Sequence, residues 1–277
     1  MTSAVERRAP APAKLNLALV VGPVRDDGKH EVATILQRVD LGDRVTLSAA
    51  SGLSVAGFTG DTLVRQALEG LAAATGVEPR WRATIAKRIP VAAGLGGGSS
   101  DAATALRLAN NSLAEPLPSA ELHVLAARLG ADVPFFLTSG PQLGRGDGSE
   151  LSPLDLPQDY WVVLVLPNDV VKESTASVYR RFDERGGASG WEARLGALEA
   201  TLAGLARPRE LAALPPNDLA SSPLAAELRR LGAFRADVTG AGPAVYGLFQ
   251  HRRHAEAARL ALRAAGRTWL TVPAWYG

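Results

Sequence analysis

The segment Pro90–Ala102, PVAAGLGGGSSDA, decides the fold of the amino half of this chain. Before it, WRATIAKRI at 81–89 alternates apolar and polar residues, as a half-buried strand does. After it, DAATALRLA at 101–109 is rich in good helix formers and places apolar residues at helical spacing. A glycine-rich loop between strand and helix exposes backbone N–H groups, and the helix start adds unsatisfied donors and the positive end of a dipole. The segment therefore predicts an anion site, of the kind that most often binds phosphate.

Neither of the two common glycine-rich nucleotide signatures is present. A Walker loop requires a lysine after its last glycine, and Ser99 follows Gly98 here. The dinucleotide fingerprint needs a third glycine where Ser99 stands. A flexible linker or a tight turn is the alternative interpretation. It is disfavoured because glycine is costly in entropy and a linker does not usually run straight into a helix.

Composition bounds the class of protein. The 277 residues suffice for one large domain or two of ordinary size, and 47% apolar with 21% charged residues is typical of a globular protein. The absence of cysteine excludes disulfides, zinc–thiolate sites and cysteine nucleophiles. No apolar run approaches the roughly 20 residues that cross a bilayer, and the first residues lack the apolar core of a signal peptide. A cytoplasmic enzyme that binds no membrane is expected.

The charge balance argues against a nucleic-acid binder, because 30 basic residues face 28 acidic ones and the net charge is only +2. Four of the basic residues are lysines, whose compact ammonium suits phosphate. These lysines are Lys14, Lys29, Lys87 and Lys172.

Periodicity predicts an α+β chain of two modules, 1–157 and 158–277. Strands are predicted at 14–21, 43–48, 53–58, 81–89 and 160–167. Helices are predicted at 62–75, 100–113, 119–129, 192–205 and 222–231.

Several boundaries are expected from local signals. Ser119 suits the N-cap of a helix that Gly130 ends, and Gly140–Pro157 has the composition of turns. Near the C-terminus, 236–249 predicts strand, turn and strand, and 254–266 predicts a long final helix. Tandem strands flanked by helices suit a ferredoxin-like layer.

Lys14 and Asn16 are candidate site residues on the first predicted strand. Strand side chains alternate, so Lys14 and Asn16 point to the same side. The alternative for Lys14 is an edge residue whose ammonium reaches water.

Asp132 lies in the sequence GADVPFF. An aspartate followed by Val-Pro suits the N-cap of a short helix, and local sequence favours that interpretation. A cap and a catalytic carboxylate are compatible, since the same side chain could accept a proton from a hydroxyl during phosphoryl transfer.

His30 and the second glycine turn, TGAGP at 239–243, are weaker candidates. The alternatives are an ordinary polar loop residue and a plain hairpin. No His, Asp or Glu cluster has metal-ligand spacing, so any Mg²⁺ is expected to arrive with a nucleotide.

Six segments, in this order, resemble the GHMP kinase superfamily, and within it the kinases of the non-mevalonate isoprenoid pathway. They span nearly the whole chain, and the long glycine segment followed by GADVPFF is the most specific part. The segments are APAKLNLAL (11–19), DGKHE (27–31), KRIPVAAGLGGGSSDAATAL (87–106), LGADVPFFL (129–137), PND (216–218) and VTGAGPAVYGLF (238–249).

The resemblance implies a ribosomal-S5-like N-terminal domain, a ferredoxin-like C-terminal domain and a substrate cleft between them. Such enzymes transfer the γ-phosphate of ATP, with Mg²⁺, to the tertiary 2-hydroxyl of 4-diphosphocytidyl-2-C-methyl-D-erythritol. Asp132 is then the base, and Lys14 steadies it and the moving phosphate. The implied ATP-binding residues are Pro90, Ala92, Gly94, Leu95, Gly96, Gly97, Gly98, Ser99 and Ser100. The implied substrate-binding residues are Asn16, His30, Thr175, Tyr179, Gly240 and Gly242. A monomer or weak homodimer is expected.

Three positions depart from the family pattern. Lys29 stands where an aromatic residue usually precedes the histidine, and Asp61-Thr62-Leu63 replaces Asp-Asn-Leu. The usual G-x-G-E is stretched to GDGSE at Gly146–Glu150. We expect these changes to alter substrate affinity rather than the type of reaction.

Other functions stay open. A kinase of the same superfamily acting on mevalonate, homoserine or a sugar is one, although DGKHE and STASVY (174–179) favour the cytidyl substrate. A nucleotide sensor without turnover would be expected to have lost the lysine or the aspartate. An RNA-binding S5-like module should show a basic stripe with interleaved aromatic residues, and only 5% of the residues are aromatic.

Overall fold

The computed structural model describes residues 6–58, 63–168 and 173–274. Its strands are β1 (Arg7–Val24), β2 (His30–Ala49), β3 (Ser54–Ala56), β4 (Trp81–Ala86), β5 (Gln142–Arg145), β6 (Glu150–Pro153), β7 (Trp161–Pro167), β8 (Arg235–Val238), β9 (Val245–Phe249) and β10 (Gly266–Thr271). Its α-helices are α1 (Leu63–Thr75), α2 (Gly97–Asn110), α3 (Ser119–Leu129), α4 (Thr175–Glu184), α5 (Trp191–Gly204), α6 (Pro223–Arg230) and α7 (Arg252–Ala261). Two 3₁₀ helices cover Pro134–Leu137 and Pro208–Ala213.

The amino half is a sheet built on two long antiparallel strands, β1 and β2, which pair along most of their length. The C-terminal part of β2 also pairs with β4, and β4 pairs in turn with β3. The N-terminal part of β2 pairs with β5, and β5 pairs with β6. The apolar stripes of α1, α2 and α3 pack together in one core cluster with residues of β2 and β4. Packing of α2 against the sheet therefore places the start of this helix beside the middle of β1.

The carboxyl half is a four-stranded antiparallel sheet in the order β10-β7-β9-β8. Chain order and strand order together form the ferredoxin-like arrangement expected from the sequence. Residues of α6 and α7 pack in one cluster with β7, β8 and β9, and other residues of β7 and β9 join β1 in a second cluster. The α+β, two-sheet fold class is thus confirmed. The boundary at 157/158 stays a prediction; it falls in the segment between β6 and β7.

Most predicted elements are present, and the errors have tertiary causes. Gly140–Pro157 is not a run of turns, because it contains β5 and β6, whose partner is the distant β2. The N-cap of α3 is Pro118 rather than Ser119, which is already inside the helix, whereas Gly130 does follow its last residue. The final helix is shorter than predicted because the chain turns at its end into β10, which pairs with β7. That strand and α4 were not predicted.

Within the described ranges, no helix combines the length and the hydropathy that a membrane span requires.

A buried arginine fixes the segment between α3 and β5. Arg38, on β2, is 1% exposed, and its guanidinium donates to the carbonyl oxygens of Phe135, Thr138 (2.6 Å) and Gly140 (3.1 Å). The same group lies 4.4 Å from the centre of the Phe135 ring. Burial and the neighbouring charge of Arg107 lower the pKa of Arg38 to about 10, so the group stays protonated at neutral pH.

We expect Arg38→Met to lower the free energy of unfolding by about 3 kcal/mol, because it removes a buried guanidinium that donates to three carbonyl oxygens, one buried and two partly buried. Urea denaturation followed by circular dichroism measures the change. Arg44→Met removes an exposed arginine from the same strand and serves as the control. Equal losses in the two variants would contradict the assignment.

Candidate active site

A cavity of about 560 Å³ lies where the two halves of the chain meet. The glycine loop and Lys14 contribute from the amino half, and α4 and the turn between β8 and β9 contribute from the carboxyl half. Among the predicted site residues, the cavity is lined by Lys14, Asn16, Pro90, Ala92, Gly94, Leu95, Gly96, Gly97, Gly98, Ser99, Asp132, Thr175, Tyr179, Gly240 and Gly242. The lining does not include Ser100, which is fully buried in α2, or His30.

Two positions of the glycine loop require glycine, because their φ angles are positive and because a side chain would collide with neighbouring atoms. Gly94 has φ +81°, and a side chain there would lie 2.7 Å from the carbonyl oxygen of Thr239. Gly96, at φ +69°, is the N-cap of α2, and a side chain there would meet Lys14 Cγ at 2.9 Å. No side chain in the described chain caps α2, so the N–H groups of its first turn are open for another acceptor. This is the arrangement that an anion requires.

Lys14 is not the edge residue that its alternative interpretation describes. Since β1 begins at Arg7, Lys14 lies well inside the strand and is only 4% exposed. Its Nζ donates to Asn16 Oδ1 at 2.7 Å and lies 3.4 Å from Asp132 Oδ2. Lys14 and Asn16 therefore point to the same side, as strand alternation predicts.

Asn16 is held from both halves of the chain. Its Nδ2 donates to Thr34 Oγ1 at 2.8 Å, and its backbone N–H donates to Thr239 Oγ1 at 3.0 Å. The amide is thereby oriented with its oxygen toward Lys14. Asn16 thus positions the ammonium as well as lining the cavity.

Asp132 does not cap a helix. The 3₁₀ helix that follows has Val133 at its N-cap position and receives no side-chain cap. The Asp132 side chain is 39% exposed and turns to the Lys14 ammonium at the glycine loop. The N-cap interpretation, which local sequence favoured, is wrong because the partner that attracts this carboxylate is more than a hundred residues away in sequence.

The turn at 239–243 is both a hairpin and part of the site. It joins the antiparallel strands β8 and β9, and Asn217 Nδ2 donates to the Gly240 carbonyl oxygen at 2.7 Å. Gly240 has φ +58°, and a side chain there would lie 3.4 Å from Lys14 Nζ. Glycine here leaves the ammonium accessible from the cavity.

The wall that α4 contributes to the cavity carries an aromatic ring. Tyr179 lines it from α4, and the His30 ring stacks behind Tyr179 with centroids 4.8 Å apart. His30 Nε2 lies 2.7 Å from Asp183 Oδ1. Burial, aided by the charges of Asp132 and Asp147, raises the pKa of Tyr179 to about 12, so its hydroxyl is a neutral donor at physiological pH. Ser174, which accepts from Ser177 N at the start of α4, is the sequence signal that would have predicted this helix.

Sequence reasoning missed an ion triad beneath the glycine loop. The ammonium of Lys87 lies between Asp43 and Asp101 Oδ2, the latter at 2.8 Å, and both carboxylates are fully buried. Burial opposes the charge of Lys87, but these hydrogen bonds outweigh it and raise the pKa of the lysine. The rarity of lysine was the signal that the sequence offered, because Asp43 lies 44 residues away and Asp101, 14 residues away, meets Lys87 only through the path of the glycine loop.

Two of the three departures from the family pattern meet in space. Lys29 Nζ pairs with Asp147, a residue of the turn between β5 and β6 that lines the cavity. The third departure, Asp61-Thr62, lies outside the described residues.

Comparison with known proteins agrees with this arrangement. The family described as the GHMP kinases N terminal domain matches residues 62–140, and that described as GHMP kinases C terminal matches residues 194–268. A 4-diphosphocytidyl-2-C-methyl-D-erythritol kinase of Geobacter sulfurreducens is 36% identical over 95% of this chain and 96% of its own length. One from Anaeromyxobacter sp. (strain Fw109-5) is 41% identical over 89% of this chain and 83% of its own.

Solved structures extend the comparison. A crystal structure of 4-(cytidine 5'-diphospho)-2C-methyl-D-erythritol kinase, 33% identical, superposes with a TM-score of 0.80 over 98% of this chain and all of its own. A homoserine kinase from Cytophaga hutchinsonii, 16% identical, has a TM-score of 0.74 over 99% of this chain and 96% of its own, and shares the fold alone. The chain belongs to the GHMP kinases and, within them, to the family of 4-diphosphocytidyl-2-C-methyl-D-erythritol kinases.

Proposed function

We propose that this chain transfers the γ-phosphoryl group of ATP to the 2-hydroxyl of 4-diphosphocytidyl-2-C-methyl-D-erythritol. The observation that carries the proposal is the position of Asp132, 3.4 Å from the Lys14 ammonium and beside the open start of α2. The names of the relatives support the choice of substrate.

ATP phosphates fit the glycine loop because its open N–H groups and the dipole of α2 supply donors and positive potential. Phosphoryl transfer needs little covalent help, so positioning and charge neutralisation dominate. Lys14, with a neutral amide and a partly exposed carboxylate as its partners, has charge to offer the transferred group.

A magnesium ion suits this donor set only as a companion of the nucleotide. Among residues 6–58, 63–168 and 173–274, no three His, Asp or Glu side chains form a metal cage. Mg²⁺ usually combines phosphate oxygens and waters with one or two protein oxygens, and Ser99 in the cavity lining is a residue that would supply one. The ion adds neutralisation of the phosphate charge.

The acceptor hydroxyl would lie between Asp132 and the end of the triphosphate. Asp132 accepts its proton as the phosphoryl group moves, and Lys14 offsets the negative charge that gathers there. The cytidyl part would then extend to the end of the cavity lined by Thr175 and Tyr179, with His30 behind it.

An ATP-consumption assay against a panel of alcohols tests the function directly. The panel comprises 4-diphosphocytidyl-2-C-methyl-D-erythritol, mevalonate, phosphomevalonate and homoserine. Formation of the 2-phosphate of the first compound, and of no other product, is expected. Turnover of another acceptor in its place would refute the proposal.

We expect Asp132→Ala to lower kcat by about a thousandfold, because the hydroxyl loses its proton acceptor. ATP binding, measured by calorimetry, should change little, since the glycine loop is intact. Glu121→Ala, which removes an exposed acid from α3, is the matched control and should behave like the unmodified protein. A near-normal kcat in Asp132→Ala would show that another group is the base.

Lys14→Ala should lower kcat by at least about a hundredfold through lost charge neutralisation. Because Lys14 and Asp132 act on the same transfer, the double variant should lose little more than the worse single variant. Steady-state kinetics with both substrates varied measures this. A change confined to KM would reduce Lys14 to a binding residue.

His30→Ala should raise KM for the cytidyl substrate roughly tenfold, because the stacked support of Tyr179 is lost. The KM for ATP and the kcat are expected to stay within about twofold, the usual size of effect for a substitution away from the group measured. His254→Ala, an exposed histidine of α7, is the control. An effect on ATP alone would place His30 at the wrong end of the cavity.

A further inference from the structure

We propose that Asp147 makes this enzyme select cytosine over uracil, by presenting a carboxylate to the exocyclic amine of the base. The inference deepens the proposed function and rests on it. Asp147 comes from the stretched GDGSE segment and was not among the residues that the sequence singled out for substrate binding.

The turn that carries Asp147 is held firmly against β2. The Val32 N–H donates to the Gly146 carbonyl oxygen at 2.7 Å, and the Gly146 N–H donates to Glu31 Oε1 at 3.1 Å. Asp147 and Gly148 both line the cavity. The turn is therefore a fixed part of the wall rather than a loose loop over it.

The carboxylate itself is oriented and ionised. Its Oδ1 accepts from the backbone N–H of Ser149 at 3.2 Å and from the Ser149 hydroxyl at 2.6 Å, and its Oδ2 accepts from Lys29 Nζ. Burial favours the neutral acid, but the hydrogen bonds from Lys29 and Ser149 outweigh it and lower the pKa of Asp147. A carboxylate has about four acceptor positions, so these bonds leave it capacity for one further donor.

The position of Asp147 matches the place where the base must lie. In the proposed function the glycine loop binds the phosphates and Asp132 the reacting hydroxyl, which leaves the wall formed by Thr175, Tyr179 and Asp147 for the part of the substrate that does not react. Asp147 and Tyr179 line the same cavity, and the charge of Asp147, after burial and the charge of Asp132, contributes to the raised pKa of Tyr179. A base stacked on Tyr179 would turn its polar edge to this carboxylate.

That edge differs between the two pyrimidines. Cytosine carries an amine at position 4, which donates, whereas uracil carries a carbonyl oxygen, which accepts, as thymine does. An ionised carboxylate attracts the first and repels the second. Discrimination of this kind combines an attractive and a repulsive element at one atom.

Lys29 explains how a carboxylate is tolerated at this wall. Its side chain is 60% exposed, so the ion pair adds little stability, but it compensates the Asp147 charge and fixes the direction of the carboxylate. The lysine that stands in place of an aromatic residue and the aspartate of the lengthened turn therefore form one ion pair.

The test compares kcat/KM for the cytidine-linked substrate with that for its uridine-linked analogue, in the unmodified enzyme and in Asp147→Asn. The amide keeps the shape of the side chain but donates as well as accepts, so it no longer repels uracil. We expect the preference for cytosine to fall by about tenfold, through KM and with kcat and the KM for ATP unchanged.

Two controls separate recognition from support of the turn. Glu150→Gln removes an exposed charge at the end of the same turn, and Asp27→Asn removes an exposed charge close to Lys29; neither residue lines the cavity. Both should keep the preference. A preference that survives Asp147→Asn, or falls equally in the controls, would overturn the proposal while leaving the proposed function standing.

A binding measurement on the unmodified enzyme needs no variant. Calorimetry with cytidine 5'-diphosphate and with uridine 5'-diphosphate should show tighter binding of the first, and equal affinities would contradict the role of Asp147. If the enzyme phosphorylates neither the cytidine-linked nor the uridine-linked substrate, the proposed function itself fails, and this inference fails with it.

Discussion

Main-chain contact between the glycine loop and the turn at 239–243 is the constraint on which the site depends. The Ala244 N–H donates to the Ala93 carbonyl oxygen at 3.1 Å, and Gly94 lies so close to Thr239 and Gly242 that a side chain would displace the turn. The same loop accepts a hydrogen bond from the Lys14 backbone N–H through Leu95, at 2.9 Å. Strand β1, the start of α2 and the second sheet are thereby held in one geometry, and the cavity is the space left between them.

The buried cations of the amino half differ in how much of their charge is already compensated. Lys87 is enclosed by two fully buried carboxylates, so its ammonium is committed to the structure. Arg38 is bound by carbonyl oxygens, the Thr138 hydroxyl and a ring face, and it secures the segment that follows Asp132. Lys14 has a neutral amide at 2.7 Å and one partly exposed carboxylate at 3.4 Å. Arg38 does not line the cavity and Lys87 is held by its two carboxylates, so Lys14 is the cation of these three that can offer its charge to an anion there.

The local sequence signals were strongest where the chain's own neighbours decide the structure. The glycine segment between β4 and α2, the alternation of β1 and the pairing of β8 with β9 follow from periodicity and from glycine's access to positive φ. They were weakest where a distant partner decides. The hairpin β5–β6 has the composition of turns and becomes strand because β2 offers it an open edge, and β10 forms because β7 does the same.

The sequence by itself therefore determined the fold class, the glycine loop between strand and helix and, through the order of its segments, the GHMP kinase family. Only the tertiary structure decided which charges meet. In the folded chain Asp132 faces Lys14 instead of capping a helix. Lys87 lies between Asp43 and Asp101, and Lys29 pairs with Asp147. The physical reason is range: backbone preferences act over a few residues, whereas an ion pair depends on distances that are set only when remote strands and helices pack.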